Sequence, residues 1–231
     1  ESIARAATEM GYRVVLCSST IGQDIKSIDV LDEEYNTYNN YNDLISYKLG
    51  FHAEYTTSRE VMEGVARLAN NYKAPVYMHS QETKKEVADC IGRYGMSPTK
   101  IFDKLGIFNY GGGCYHMVYS DDEDIAILKK HGVSIISNPG SNSKLASGIA
   151  PITTYINKGL NVALGTDGPA SNNALDMYRE MYLATILQKL SLEDASALSG
   201  STVLRMATVN GAYAMGLENG DTLAVGKLAD I

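Results

Sequence analysis

The sequence predicts an α/β protein in which helices cover a parallel sheet of short strands. Three observations predict it. Strand-like and helix-like segments alternate along nearly all of the 231 residues. The strand candidates are short continuous apolar or β-branched runs, the pattern of strands buried on both faces. The residues able to do chemistry sit at the C-terminal ends of at least three different strands. An open doubly wound sheet and a closed (β/α)8 barrel both fit the alternation. The third observation favours the barrel, because an open sheet gathers its ligand groups around one switch point.

The elements follow in order. A helix is expected over Ser2–Gly11 and a strand over Arg13–Cys17. Tyr35, Tyr38 and Tyr41, spaced by three in the Tyr/Asn-rich stretch 35–42, predict a half-buried helix rather than a cover for an aromatic ligand. Further strands are expected at Leu44–Phe51, Pro75–His79, Cys114–Val118, Val133–Ser137 and Asn161–Thr166. Between them, Ser58–Asn70 places Val61, Met62, Val65, Leu68 and Ala69 on one helical face, with Thr57 and Glu60 as a capping box. Ser120 and Glu123 repeat that start for Asp121–His131, which ends on Lys129, Lys130 and His131 before Gly132. Those bases suit the negative end of the helix dipole. A long helix over Ala174–Leu190 follows, and helical segments continue to about Met215. Asn172 and Asn173 are expected to cap the entry to the long helix. The tail from Leu217 reads as a turn and the start of a strand.

Composition narrows the function. Hydrophobic residues make up 45% and charged residues 20%, which fits one globular core. A net charge of -7, with no Lys/Arg run, argues against a nucleic-acid surface. The apolar stretches are strand-length, too short to span a bilayer. No secretory leader is readable, and Cys17, Cys90 and Cys114 form no CxxC pair. A reducing cytoplasm without a disulfide framework is expected.

The chemistry concentrates in His79, Glu82, His116 and Asp167. His79 closes one strand with Glu82 three residues on, His116 lies on another, and Asp167 follows a third in a glycine turn. Metal-assisted hydrolysis uses this mixture of imidazole ligands, a carboxylate ligand and a proton-carrying carboxylate. His52 also ends a strand and reads as a substrate contact; His131 reads as a structural cation at a helix end. Gly111-Gly112-Gly113 precedes a strand rather than opening a helix, so it is no phosphate loop. Asn138-Pro139-Gly140-Ser141-Asn142 reads equally as an Asx-turn loop or as substrate-contacting amides.

Two long stretches carry a resemblance. Asn138-Pro139-Gly140-Ser141-Asn142-Ser143-Lys144-Leu145-Ala146-Ser147-Gly148-Ile149-Ala150-Pro151 and Gly165-Thr166-Asp167-Gly168-Pro169-Ala170-Ser171-Asn172-Asn173-Ala174-Leu175-Asp176-Met177 resemble motifs of the amidohydrolase superfamily. The similar branch holds the S-adenosylhomocysteine/5'-methylthioadenosine deaminases and chlorohydrolases. The order His52, His79 with Glu82, His116, Asp167 matches as well, and Gly226-Lys227-Leu228-Ala229-Asp230-Ile231 resembles the return into that family's small β-domain. The resemblance implies a TIM-type (β/α)8 barrel, incomplete here, with six of eight βα units, the third to the eighth. Residues 1–216 would be the partial barrel and 217–231 the start of the small domain. The chain is thus expected to be an internal portion of a longer protein.

The implied activity is hydrolytic deamination of a purine-like nitrogen heterocycle or nucleoside through a metal-activated water. One divalent ion, zinc or alternatively iron, would be held by His79 and Asp167. Asp167 would also take a proton from the water, Glu82 would protonate the ring nitrogen, and His116 would hold the attacked centre. His52, Glu82, His116 and Asn142 would contact substrate. The family's His-x-His ligand pair has no counterpart in this sequence, so metal is expected to bind weakly. Glu54 stands where the family usually has proline, Tyr119 and Ser137 replace histidines, and Cys17-Ser18-Ser19 replaces an arginine-bearing segment, which argues against S-adenosylhomocysteine itself. Rival readings are a non-catalytic barrel that binds a small heterocycle, and a hydrolase of the same scaffold releasing chloride or cleaving an amide. The partner is a small molecule, not nucleic acid or membrane. A homo-oligomer remains open, since an incomplete barrel has unpaired strand edges.

Overall fold

The structure, a computed structural model, describes residues 1–18, 22, 24–217, 219–228 and 230. The chain opens with α1 (Ser2–Met10), β1 (Val14–Cys17), α2 (Ser27–Asn39) and β2 (Ile45–Gly50). After a 3-10 turn at Glu54–Thr56 come α3 (Arg59–Tyr72), β3 (Val76–Ser80), α4 (Lys84–Tyr94), α5 (Pro98–Lys104) and β4 (Gly112–His116). Next are α6 (Asp122–Lys130), β5 (Val133–Ser137), α7 (Pro139–Lys144), α8 (Ile152–Asn157) and β6 (Val162–Leu164). The last four helices are α9 (Pro169–Asn172), α10 (Met177–Leu192), α11 (Gly200–Ala207) and α12 (Val209–Met215).

The six strands lie in sequence order, each parallel to the next, and the sheet curls into part of a (β/α)8 barrel. Every crossover carries at least one helix, as parallel pairing demands. The two-residue period of the strands separates two jobs. Met78 of β3 and Cys114 of β4 point outward into the core, with Met62, Val65 and Phe102 from the covering helices. Tyr77, His79 and Tyr115, one position out of phase, line the concave side. On α3 the predicted stripe Val61, Met62, Val65, Leu68 and Ala69 is buried throughout. Each large member contributes about 1.5–3 kcal/mol by leaving water.

All six predicted strands form, with ends shifted by a residue or two. β4 moves most, beginning at Gly112 rather than Cys114. Gly112 and Gly113 belong to this strand because it passes hard against β3. Gly112 has φ +134°, and a Cβ there would strike the backbone of Val76. The predicted caps both fall one residue early. Ser58, not Thr57, caps α3 by accepting the Val61 amide, and Asp121 caps α6 in a reciprocal box with Asp124 rather than Ser120 with Glu123. Asp124 takes the role because its carboxylate is also needed inside, where it accepts from Ser97 and Gln81.

Asn172 and Asn173 do not cap the long helix. They end the short α9, and Asp176 caps α10 through the Tyr178 and Arg179 amides. The stretch after Asn138 is the helical turn α7, not an Asx-turn loop. Tyr35 stacks on Tyr72 at 4.6 Å and Tyr38 on Tyr47 at 5.7 Å, so α2 is the half-buried helix expected for these two, whereas Tyr41 lies in the turn beyond its end and is exposed. His131 ends α6 and donates from Nε2 to Asp103 at 2.6 Å. In the closing segment the described residues form turns and bends; Glu218, Ala229 and Ile231 lie outside them, as does Ser19 of the Cys17-Ser18-Ser19 segment. Among the described residues no helix is long and apolar enough to cross a membrane.

Candidate active site

His79 is the penultimate residue of β3, Glu82 follows that strand, His116 ends β4, and Asp167 lies in the loop after β6. Parallel strands bring these C-terminal ends to one rim. There His79 Nε2 lies 3.7 Å from Asp167 Oδ1, and His116 Nε2 lies 3.9 Å from Glu82 Oε2. The rings of His79 and His116 are 5.3 Å apart, and those of His52 and His79 are 4.8 Å apart. Every sequence-predicted group of the constellation is therefore at this rim. A cavity of about 280 Å³ opens beside His79 and Asp167, lined also by Phe51, Tyr77, Tyr115 and Asn138.

The backbone at the rim is bent for this purpose. Gln81 (φ +54°), His116 (φ +73°), Met117 (φ +46°) and Asp167 (φ +58°) are all left-handed without being glycine. Such conformations cost on the order of 1–3 kcal/mol each and collect at functional sites. Hydrogen bonds hold them: the Gln81 carbonyl accepts from the Val118 and Tyr119 amides, which ties the turn after β3 to the turn after β4.

Each site group is oriented by a partner that leaves one atom open. The main-chain carbonyl of His52 lies 3.1 Å from His79 Nδ1. A carbonyl can only accept, so Nδ1 carries a proton, and Nε2 is the ring atom turned toward Asp167. Ser141 and Ser171 donate to Asp167 Oδ2 at 2.7 and 2.6 Å, which leaves Oδ1 facing His79. Partial burial pushes the Asp167 carboxyl up, but the neighbouring His79 imidazole and hydrogen bonds from Ser171, Ser141 and the Gly168 amide outweigh it and hold it well below its ordinary value. Asn142 Oδ1 meets His116 Nδ1 at 2.8 Å. His116 Nε2 is buried without a hydrogen-bond partner among the described residues. Burial lowers the pKa of His116, despite the opposing pull of Glu82 and the bond to Asn142, so the ring is held neutral.

The donor set fits a divalent cation. Ligand atoms of His79, His116 and Asp167 lie within 4.8 Å of one another, and they combine two imidazole nitrogens with a carboxylate oxygen, a set zinc accepts. Nε2 of His79 and Oδ1 of Asp167, 3.7 Å apart, are what such a site requires, and the unpartnered Nε2 of His116 lies beside them.

His52, at the end of β2, bonds through Nδ1 to Thr56 Oγ1 at 2.9 Å, and burial lowers its pKa. Glu54, where the resemblance gave proline, is 3% exposed and pairs with Arg93 of α4, anchoring the loop after β2 to the helix after β3. Asn142 is 2% exposed and spends its carbonyl on His116, so it reaches the site through that ring.

Sequence reasoning missed Glu86. Its carboxylate accepts the Gln81 amide at 2.7 Å and the Glu82 amide at 2.8 Å, and so holds the loop that carries Glu82. Burial pushes the Glu86 carboxyl up, against backbone hydrogen bonds that favour its charged form. Ser141, Ser147, Ser171 and Glu180 were missed too. Glu180 accepts from the Gly140 amide and from Asn172, fixing α7 beside the Asp167 loop.

The chain is similar to several known proteins. The chain is 40% identical over 238 residues to the 5-methylthioadenosine/S-adenosylhomocysteine deaminase of Thermoanaerobacter pseudethanolicus, an overlap covering 100% of this chain and 55% of that protein. It is 39% identical over 237 residues to the 5'-deoxyadenosine deaminase of Methanothermobacter thermautotrophicus, again 100% of this chain and 55% of the relative. The fold superposes on an adenosine deaminase from Xanthomonas campestris with bound zinc at a TM-score of 0.89 and 34% identity, covering 98% of this chain and 53% of that one. The chain thus spans about half the length of the curated relatives it matches. Residues 1–231 match the amidohydrolase family from end to end, and the chain belongs to that family.

Proposed function

We propose that the complete protein is a metal-dependent hydrolytic deaminase acting on a purine-like heterocycle or nucleoside. The observation that carries this reading is the pairing of two carboxylates with two imidazoles at one rim, each with an atom left open by its partners. His79 and Asp167 would hold the metal. A divalent ion bound there lowers the pKa of a coordinated water and supplies a nucleophile at neutral pH.

The residues of this chain do the rest. Deamination adds water to an amidine carbon and expels ammonia, so protons must reach the ring nitrogen and the leaving amine. Glu82, with Oε2 turned toward His116, delivers one to the ring nitrogen and regains one from the hydroxyl of the adduct as the product carbonyl forms. Asp167, held charged by its hydroxyl donors, accepts one from the attacking water and returns it to the amine. His116, fixed by Asn142, holds the attacked centre, and His52 contacts the substrate at the edge of the cavity. Free Cys17, Cys90 and Cys114 support a cytoplasmic setting.

The test is ammonia release by the complete, zinc-loaded protein across a panel of purine nucleosides, free purines, pyrimidines and triazines. Turnover of an adenosine-type nucleoside, lost by about 10²–10⁴-fold in Glu82→Gln and Asp167→Asn, is the expected result. Full turnover in either variant contradicts the assignment.

A further inference from the structure

We propose that Ser147 is a positioning residue that selects which oxygen of Glu82 transfers the proton. The inference rests on the reading of Glu82 as the proton carrier. Ser147 Oγ donates to Glu82 Oε1 at 2.9 Å. Among the described residues it is the one side chain that hydrogen-bonds this carboxylate. An oxygen that accepts a hydroxyl hydrogen bond keeps the negative charge. The mobile proton therefore belongs on Oε2, the oxygen that faces His116 and the rest of the constellation.

Ser147 is itself held still. It is 4% exposed, its amide donates to the Asn142 carbonyl at 2.9 Å, and its carbonyl accepts from Tyr119 Oη at 2.6 Å. Gly148 lets the chain lie against Tyr119, since a Cβ there would collide with the phenol oxygen and with Val118. The other end of Glu82 is fixed as well, its amide donating to Glu86. Glu82 is thus tied at its amide and at Oε1.

The same short segment serves the other groups. Ser141 donates to the far oxygen of Asp167 and Asn142 fixes His116, so 141–147 orients three of the four groups through uncharged side chains of its own.

The experiment compares kcat, KM and metal content of the complete, zinc-loaded protein with 5'-deoxyadenosine as probe. Wild type, Ser147→Ala, Ser147→Thr, Glu82→Gln and the Ser147→Ala/Glu82→Gln double variant are measured together. Ser147→Ala is expected to lower kcat by about tenfold, the size of one hydrogen bond to a charged group, with KM and metal content unchanged. Ser147→Thr, which keeps the hydroxyl, recovers most of that loss. In the Glu82→Gln background the serine substitution costs less than about twofold, because no proton is left to direct. Wild-type kcat in Ser147→Ala, or the same fractional loss in both backgrounds, overturns the proposal while leaving Glu82 as the proton carrier. Wild-type turnover in Glu82→Gln overturns the underlying reading as well, so the two failures are distinct.

Discussion

The main-chain carbonyl of His52 accepts a hydrogen bond from His79 Nδ1 at 3.1 Å, and this contact decides the role of the opposite ring nitrogen. It arises from strand pairing: β2 and β3 run side by side, and the His79 amide also donates to the His52 carbonyl at 2.8 Å. One carbonyl thus fixes both the backbone and the ring orientation of a metal-ligand candidate.

A contrast between the two histidines follows. The contact from His52 is main-chain, so His52→Ala keeps it, and the complete protein retains its metal while binding substrate less tightly. His79→Ala removes a ligand and lowers metal affinity by about 100-fold or more, beyond the 10–100-fold typical of outer partners. Metal content after dialysis against a weak chelator measures both. Equal metal loss in the two variants contradicts the assignment.

Glu86 tests the support of the Glu82 loop. Glu86→Ala leaves the buried Gln81 amide and the half-buried Glu82 amide without an acceptor, and a loss of about 2–3 kcal/mol of stability is expected. Urea unfolding gives the number. A loss below about 0.5 kcal/mol, the scale of a neutral surface change, contradicts the role.

Gly112 tests the close approach of β4 to β3. Gly112→Ala places a Cβ against the Val76 backbone at φ +134° and is expected to cost several times more than Gly95→Ala. Gly95 also has positive φ, but with open space around its missing Cβ, so only about 1–2 kcal/mol of backbone strain is at stake there. Comparable thermal midpoints for the two variants would be inconsistent with this packing.

Acid stability tests the hydroxyls on Asp167. Its folded-state pKa lies below the ordinary 3.8. Stability from such a depressed group is present above the unfolded pKa and is lost as pH falls through that value toward the folded one. Ser141→Ala/Ser171→Ala removes two donors, raises the folded pKa and brings the loss to higher pH. The acid-unfolding midpoint of metal-free protein is expected to move upward; a midpoint that stays or falls contradicts the account.

Much of this molecule is legible in its sequence, and the rest is not for definable reasons. The strands show because each is a compact apolar run between turns, and His79, His116 and Asp167 show because polar groups at strand ends are unusual. The caps slip by one because Thr57-Ser58 and Ser120-Asp121 each offer two adjacent capping residues. Only tertiary demand, such as that on Asp124 from Gln81 and Ser97, chooses between them. Glu86 reads as an ordinary first-turn acid of α4. Its capture of the Gln81 and Glu82 amides depends on the left-handed turn at Gln81, which no local signal marks. Ser141 and Ser147 read as loop serines because their partners are distant in sequence. The long motif around them was visible, but its purpose was not.

The central claim is that His79 of β3 and Asp167 of the loop after β6 share one cation. Diffraction from crystals of the complete protein with zinc, collected on both sides of the zinc absorption edge, tests it directly. The account predicts an anomalous peak bonded to both His79 Nε2 and Asp167 Oδ1. A stoichiometric zinc whose peak lies on other residues would contradict it.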